Sequence, residues 1–89
     1  MAAFRITITG HVQGVFLRAG AVKKAHELNV RGWVRNMEDG SVNIFAEGED
    51  LALLEFEEWC HHGSPAAKVE RVRREETVEE GYKSFEILY

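Results

Sequence analysis

The segment Gly10-His11-Val12-Gln13-Gly14-Val15-Phe16-Leu17-Arg18 holds the residue types best suited to chemistry. Two glycines punctuate a turn between a strand-like stretch and a helical one. Successive backbone N–H groups in such a turn can converge on one point, and the N-terminus of the following helix adds its dipole. The chemistry served would be the holding of an anion. Glycine reaches positive φ without steric cost and lets a ligand approach the backbone. Arg18 falls in the first helical turn, where its fork of donors suits two phosphate oxygens. On pattern alone a plainer reading stands beside this one. Most glycine turns between a strand and a helix bind nothing, and an arginine in a first turn is usually just solvated. The helix dipole mildly opposes a cation there, which hints at a purpose.

Other reactive side chains read as structure. His61 and His62 are adjacent on a helix end and point apart, and no Cys/His/Asp set completes a metal site around them. Cys60 falls on an apolar stripe and reads as a small core residue. Glu55, Glu57 and Glu58 form a solvated face, with no cleft for a carboxylate pair. The His11 ring is expected in solvent, and Trp33 and Trp59 in packing roles. Lys68, Arg71, Arg73 and Arg74 read as charges that guard an edge strand.

The elements that must position the turn follow from periodicity. Phe4, Ile6 and Ile8 share one face of a first strand, with Arg5, Thr7 and Thr9 on the other. A helix is predicted from about Phe16 to Leu28, with Leu17, Ala21, Ala25 and Leu28 at helical spacing and Asn29 as its stop. Val30 to Asn36 reads as a second strand, Asp39-Gly40 as a hairpin turn, and Val42 to Glu47 as a third strand. In the third strand Val42, Ile44 and Ala46 alternate with Asn43, Phe45 and Glu47. A second helix starts near Asp50, a good cap residue, with Ala52, Phe56, Trp59 and Cys60 as its apolar stripe. Pro65 marks a loop. A fourth strand covers Val69 to about Glu76, and Phe85 to Tyr89 forms a short last one, after an exposed bend at Gly81. The order predicts an α+β fold: a ferredoxin-like βαββαβ sandwich, an antiparallel sheet with two helices on one face and a short extra C-terminal strand. That fold hosts many functions.

The 89 residues are expected to form a single domain, 1–89. Apolar residues make up 45%, as in ordinary globules. Eleven Lys and Arg against fifteen Asp and Glu leave a net charge of −4, which argues against a generic binder of nucleic acid or anionic membrane. One cysteine permits no internal disulfide. No apolar run approaches the roughly 18 residues that span a bilayer. The start lacks the long apolar core of a signal peptide, so the cytoplasm is the expected compartment.

Two segments in register are similar to the signatures of a known family. Gly10 to Arg18 resembles the first signature of the acylphosphatases, and Gly32-Trp33-Val34-Arg35-Asn36 their second, including the eighteen-residue step from Arg18 to Asn36. Asp39-Gly40-Ser41-Val42, Gly63-Ser64-Pro65 and the stretch from Tyr82 to Ile87 also match the family's layout. The resemblance covers essentially the whole chain. It implies hydrolysis of a carboxyl-phosphate anhydride to a carboxylate and inorganic phosphate, without metal or cofactor. By position, it implies that Arg18 binds phosphate and that Asn36 orients the attacking water. It further implies that the backbone of Val12, Gln13, Gly14, Val15, Phe16, Leu17 and Arg18 cradles the phosphate.

Without these neighbours Asn36 would read only as turn chemistry. The family usually carries an aromatic residue where Leu17 stands and threonine where Ala21, Met37 and Ser41 stand. Ser41 keeps the hydroxyl, and none of the four replaces a group with a direct role. The implied partners are a small acyl phosphate, with inorganic phosphate or sulfate as site ligands, in a monomer that binds neither nucleic acid nor membrane. A catalytically weak phosphate-binding module of the same fold is the alternative. Single-stranded RNA binding ranks last, because the exposed face of the first strand offers Arg5, Thr7 and Thr9 rather than aromatics.

Overall fold

The computed structural model describes residues 2–89. The elements are β1 (Ala2–His11), α1 (Leu17–Leu28), β2 (Arg31–Asn36), β3 (Val42–Gly48), α2 (Asp50–His62), β4 (Lys68–Thr77) and β5 (Phe85–Ile87). They form one five-stranded sheet in the order β4-β1-β3-β2-β5. The β1–β3, β1–β4 and β2–β3 pairs are antiparallel, while β5 adds to β2 in parallel. This is the ferredoxin-like sandwich that the element order predicts, with the short last strand making the sheet mixed.

Alternation puts Phe4, Ile6 and Ile8 of β1 and Val42, Ile44 and Ala46 of β3 under the helices. Leu17, Ala21 and Ala25 of α1 and Leu53, Phe56 and Cys60 of α2 close the same core. The stripe of α2 runs through Leu53, which the expected stripe omitted, while Ala52 and Trp59 are only half-buried. The run Leu51-Ala52-Leu53-Leu54 is apolar on every side of a helix, so periodicity alone cannot choose among its members. Packing chooses Leu53, whose spacing of three and seven to Phe56 and Cys60 keeps all three on one face. Leu51 and Leu54 stay exposed.

Helix ends adjust by a residue. Glu49, rather than Asp50, caps α2, and Asp50 lies in its first turn, where its charge suits the dipole. Asn29 ends α1 in the left-handed region at φ 58°, and the Val30 N–H donates to the Ala25 carbonyl at 2.8 Å.

The open face of the sheet departs from simple alternation. Phe45 and Glu47 point away from the helices but are fully buried. The chain between β4 and β5 folds back over them. Glu47 accepts the Tyr82 N–H at 2.8 Å and the Gly81 N–H at 3.2 Å, and Phe45 packs between Trp33 and Tyr82. Two backbone donors satisfy a carboxylate that would otherwise be costly to bury. On the outer edge, Arg74 of β4 donates to Glu57 at 3.1 Å and lies over the Phe4 ring.

Candidate active site

Residues 12–16 leave β1 and enter α1 as a loop held from three directions. Val12 and Val15 are buried anchors in the core. The Ser64 hydroxyl, in the α2–β4 loop, donates to the Val15 carbonyl at 2.6 Å. The Gln13 amide donates to the Met37 carbonyl at 2.7 Å and the Ser41 carbonyl at 2.9 Å, both in the β2–β3 hairpin. Gly14 and Phe16 take positive φ, 74° and 63°. The left-handed conformation is easy for glycine and uncommon for phenylalanine. Phe16 caps α1 without a side-chain hydrogen bond. The first intrahelical bond runs from the Gly20 N–H to the Phe16 carbonyl at 3.1 Å. The N–H groups of Leu17, Arg18 and Ala19 therefore have no carbonyl one turn earlier to bond. No acidic residue stands in this first turn, so the positive end of the helix dipole is not offset locally.

A cavity of about 260 Å³ opens at this point. Val12, Gly14, Phe16, Leu17, Arg18 and Asn36 line it, joined by Ala19 and Ile87. Six of the eight expected site residues thus share one cavity. Gln13 and Val15 do not line it; their side chains moor the loop instead. Arg18 is half-buried, and its guanidinium carbon lies 5.3 Å from the centre of the Tyr89 ring. Asn36 ends β2, and its Oδ1 is buried with no hydrogen-bond partner among the described residues.

The hairpin beside Asn36 is itself braced. Asp39 accepts the Ser41 hydroxyl at 2.6 Å and the Ser41 N–H at 2.9 Å. These bonds, the hydroxyl first, hold the Asp39 carboxyl below its usual range. The Ser41 hydroxyl, noted above only as a substitute for threonine, is thus a strut of the site.

Other candidates fall elsewhere. His11 is exposed, and His61 and His62 are exposed at the end of α2, where His62 meets Glu58 at 3.2 Å. Cys60 is buried in the core, and burial pushes its thiol up, away from the reactive thiolate. Motif reading gave no role to the Tyr89 ring, the Ser64 hydroxyl or the Gln13 amide. Each acts through a contact 24 or more residues away along the chain.

The acylphosphatase family model matches residues 4–87. An acylphosphatase of Thermotoga maritima is 47% identical over 89 residues, covering 100% of this chain and 99% of its own. One from Marinobacter nauticus is 48% identical over 73 residues, 82% of this chain and 79% of its own. The crystal structure of acylphosphatase from Bacillus subtilis superposes with a TM-score of 0.97 at 40% identity, covering 100% of both chains.

Proposed function

The chain belongs to the acylphosphatase family, and from that premise we propose that it hydrolyses acyl phosphates by in-line attack of a water held at Asn36. The observation that carries this reading is the convergence of the loop, Arg18 and Asn36 on one cavity. A phosphoryl group in transfer spreads charge over three equatorial oxygens. The amides of the loop and of the first turn of α1, with the Arg18 guanidinium, supply fixed donors for those oxygens. The loop's three moorings keep the donors in place before substrate arrives, so little reorganisation is needed.

Asn36 supplies the other half. A carboxamide both donates and accepts, so it can hold a water and turn a lone pair toward phosphorus. The water oxygen forms the new bond to phosphorus as the anhydride P–O bond breaks. The bonding pair leaves with the carboxylate, and the water's proton passes to a phosphate oxygen. Because the carboxylate leaves readily, positioning and charge stabilisation do most of the work.

The test is phosphate release from benzoyl phosphate in the presence of a chelator. The expected result is turnover indifferent to the chelator and inhibited competitively by phosphate or sulfate. Turnover that appears only with added Mg²⁺ or Zn²⁺ overturns the mechanism, and phosphate binding without turnover overturns the activity.

A further inference from the structure

The cavity has a sheet wall, Asn36 and Ile87, and a helical wall running from Phe16 to Ala19. On the reading above, which this inference rests on, the water stands at the sheet wall. In-line displacement then sends the departing carboxylate toward the helical wall. Three grooves border the cavity. One of about 510 Å³ continues past Asn36 between Arg35, Met37, Glu38 and Tyr89, on the side of the water. One of about 480 Å³ runs past Val22 and ends at the Glu86 carboxylate, and its aromatic ring, Tyr89, is engaged against Arg18. The third, about 460 Å³, shares Phe16 and Ala19 with the first cavity and continues between α1 and the α2–β4 loop to Trp59, Pro65 and Lys23, with the Lys24–Glu27 ion pair also on its rim.

We propose that this third groove is the acyl subsite, and that it favours acyl groups with a flat apolar body and a negatively charged far end. Phe16 stands at its entrance, 80% exposed although large and apolar, on a backbone held at φ 63°. Strained conformations of this kind concentrate at functional sites. Trp59 forms the floor. A methyl group on Gly20 would come within 2.9 Å of its Cζ2, so the bare backbone of α1 at that point is what lets the indole lie against the helix. A planar acyl group can lie along Phe16 and Trp59 as aromatic rings do in offset packing.

The charge at the far end follows from Lys23. Lys24 is paired with Glu27 at 3.5 Å, whereas Lys23 is exposed and has no ion-pair partner among the described residues. It lies seven residues beyond Phe16 and four beyond Ala19, on the face of α1 that borders the groove, about 6 Å along the axis from Ala19 at 1.5 Å per residue. A benzoyl group with a para carboxylate reaches across that interval.

The experiment compares kcat/KM of the whole protein for benzoyl, 4-carboxybenzoyl and acetyl phosphates in Lys23→Gln, Lys23→Glu and Arg35→Gln. In Lys23→Gln the preference for 4-carboxybenzoyl over benzoyl phosphate should fall about threefold to fivefold, the scale of one exposed ion pair. It should fall further in Lys23→Glu, and the wild-type preference should shrink as salt rises. Acetyl phosphate, too short to reach Lys23, should be hydrolysed unchanged. A preference unaltered by both Lys23 variants overturns the subsite, as does one that moves with Arg35→Gln instead. Failure to hydrolyse any of the three substrates overturns the underlying activity.

Discussion

The Gln13 amide joins the β1–α1 loop to the hairpin that follows Asn36: Nε2 reaches the Met37 carbonyl at 2.7 Å and the Ser41 carbonyl at 2.9 Å. The loop and Asn36 come from different parts of the fold, the β1–α1 connection and the end of β2. Without a tether, the distance between anion and water would depend on two loops moving independently. Gln13→Ala removes the tether without orphaning either carbonyl. Met37 still accepts the Gly40 N–H at 3.2 Å, and Ser41 still accepts the Met37 N–H at 2.8 Å. The stability loss should be about 1–2 kcal/mol, two ordinary net hydrogen bonds at the low end of their range. Turnover should fall more than phosphate affinity, because the relative placement of water and anion is what loosens. A variant that melts earlier yet keeps full kcat would show that the tether serves stability alone.

Arg18→Lys is expected to damage kcat/KM nearly as much as Arg18→Ala. The guanidinium fork can hold two oxygens at fixed geometry, and its carbon lies over the Tyr89 ring, 5.3 Å from the centre. A lysine ammonium offers a point charge on a mobile stem. Each variant should lose about 2–4 kcal/mol of transition-state stabilisation, the scale of one preorganised donor. A lysine variant with wild-type kcat/KM would mean that only the net charge matters.

Asn36→Ala should lower kcat strongly while leaving inhibition by inorganic phosphate nearly intact. Its proposed partner is the water, so the lost interaction is made mainly in the transition state. Parallel loss of turnover and phosphate affinity would move Asn36 from the water to the anion.

How far the sequence exposed this site depends on the range of the signal. The loop, Arg18 and Asn36 were legible because glycine spacing and the strand-to-helix switch are local, and because two segments in register resemble one family. The core faces of β1 and α1 were legible for the same reason: period two and period 3.6 need only neighbours. What stayed hidden was set by distant contacts. Phe45 and Glu47 read as an outer face, since nothing near them reveals that Gly81 and Tyr82 fold back to cover them. Ser64 read as a loop residue, although its hydroxyl holds the Val15 carbonyl 49 positions away. Leu53 was lost in an all-apolar run where only packing breaks the tie.

The brace at the hairpin should carry a pH signature. Ser41 holds the Asp39 carboxyl below its ordinary 3.8, so the bonds favour the ionised form in the folded protein. The stability they contribute is complete above the unfolded value and is lost as pH falls through the lowered folded one. Ser41→Ala should therefore be less stable than wild type at neutral pH, and the gap should close in acid as Asp39 protonates. Denaturant midpoints measured from pH 7 down to about pH 2 test this. A gap that stays constant across that range would assign the effect to packing of the Ser41 side chain.

Leu17 offers the sharpest separation of packing from chemistry. It is the first residue of α1 and is 2% exposed, and it borders the candidate-site cavity. Its side chain lies in the core cluster, close to Gly63 in the α2–β4 loop. A methyl group built on Gly63 would come within 3.0 Å of the Leu17 Cδ1, so there is little slack on that side. Ala21, one turn further along α1, is small, but it too is fully buried. The aromatic residue common in the family at position 17 would have to find its extra volume between these two neighbours. Leu17→Phe should therefore cost about 1–3 kcal/mol through overpacking. Phosphate inhibition should change little, because the donors are backbone N–H groups and not this side chain. Pairing the substitution with Gly63→Ala should cost more than the sum of the two single changes, since both press into the same space. The denaturant midpoint and the phosphate inhibition constant, measured on the same three variants, decide it. Unchanged stability with a tenfold shift in phosphate affinity would place the Leu17 side chain in the cavity rather than beneath it.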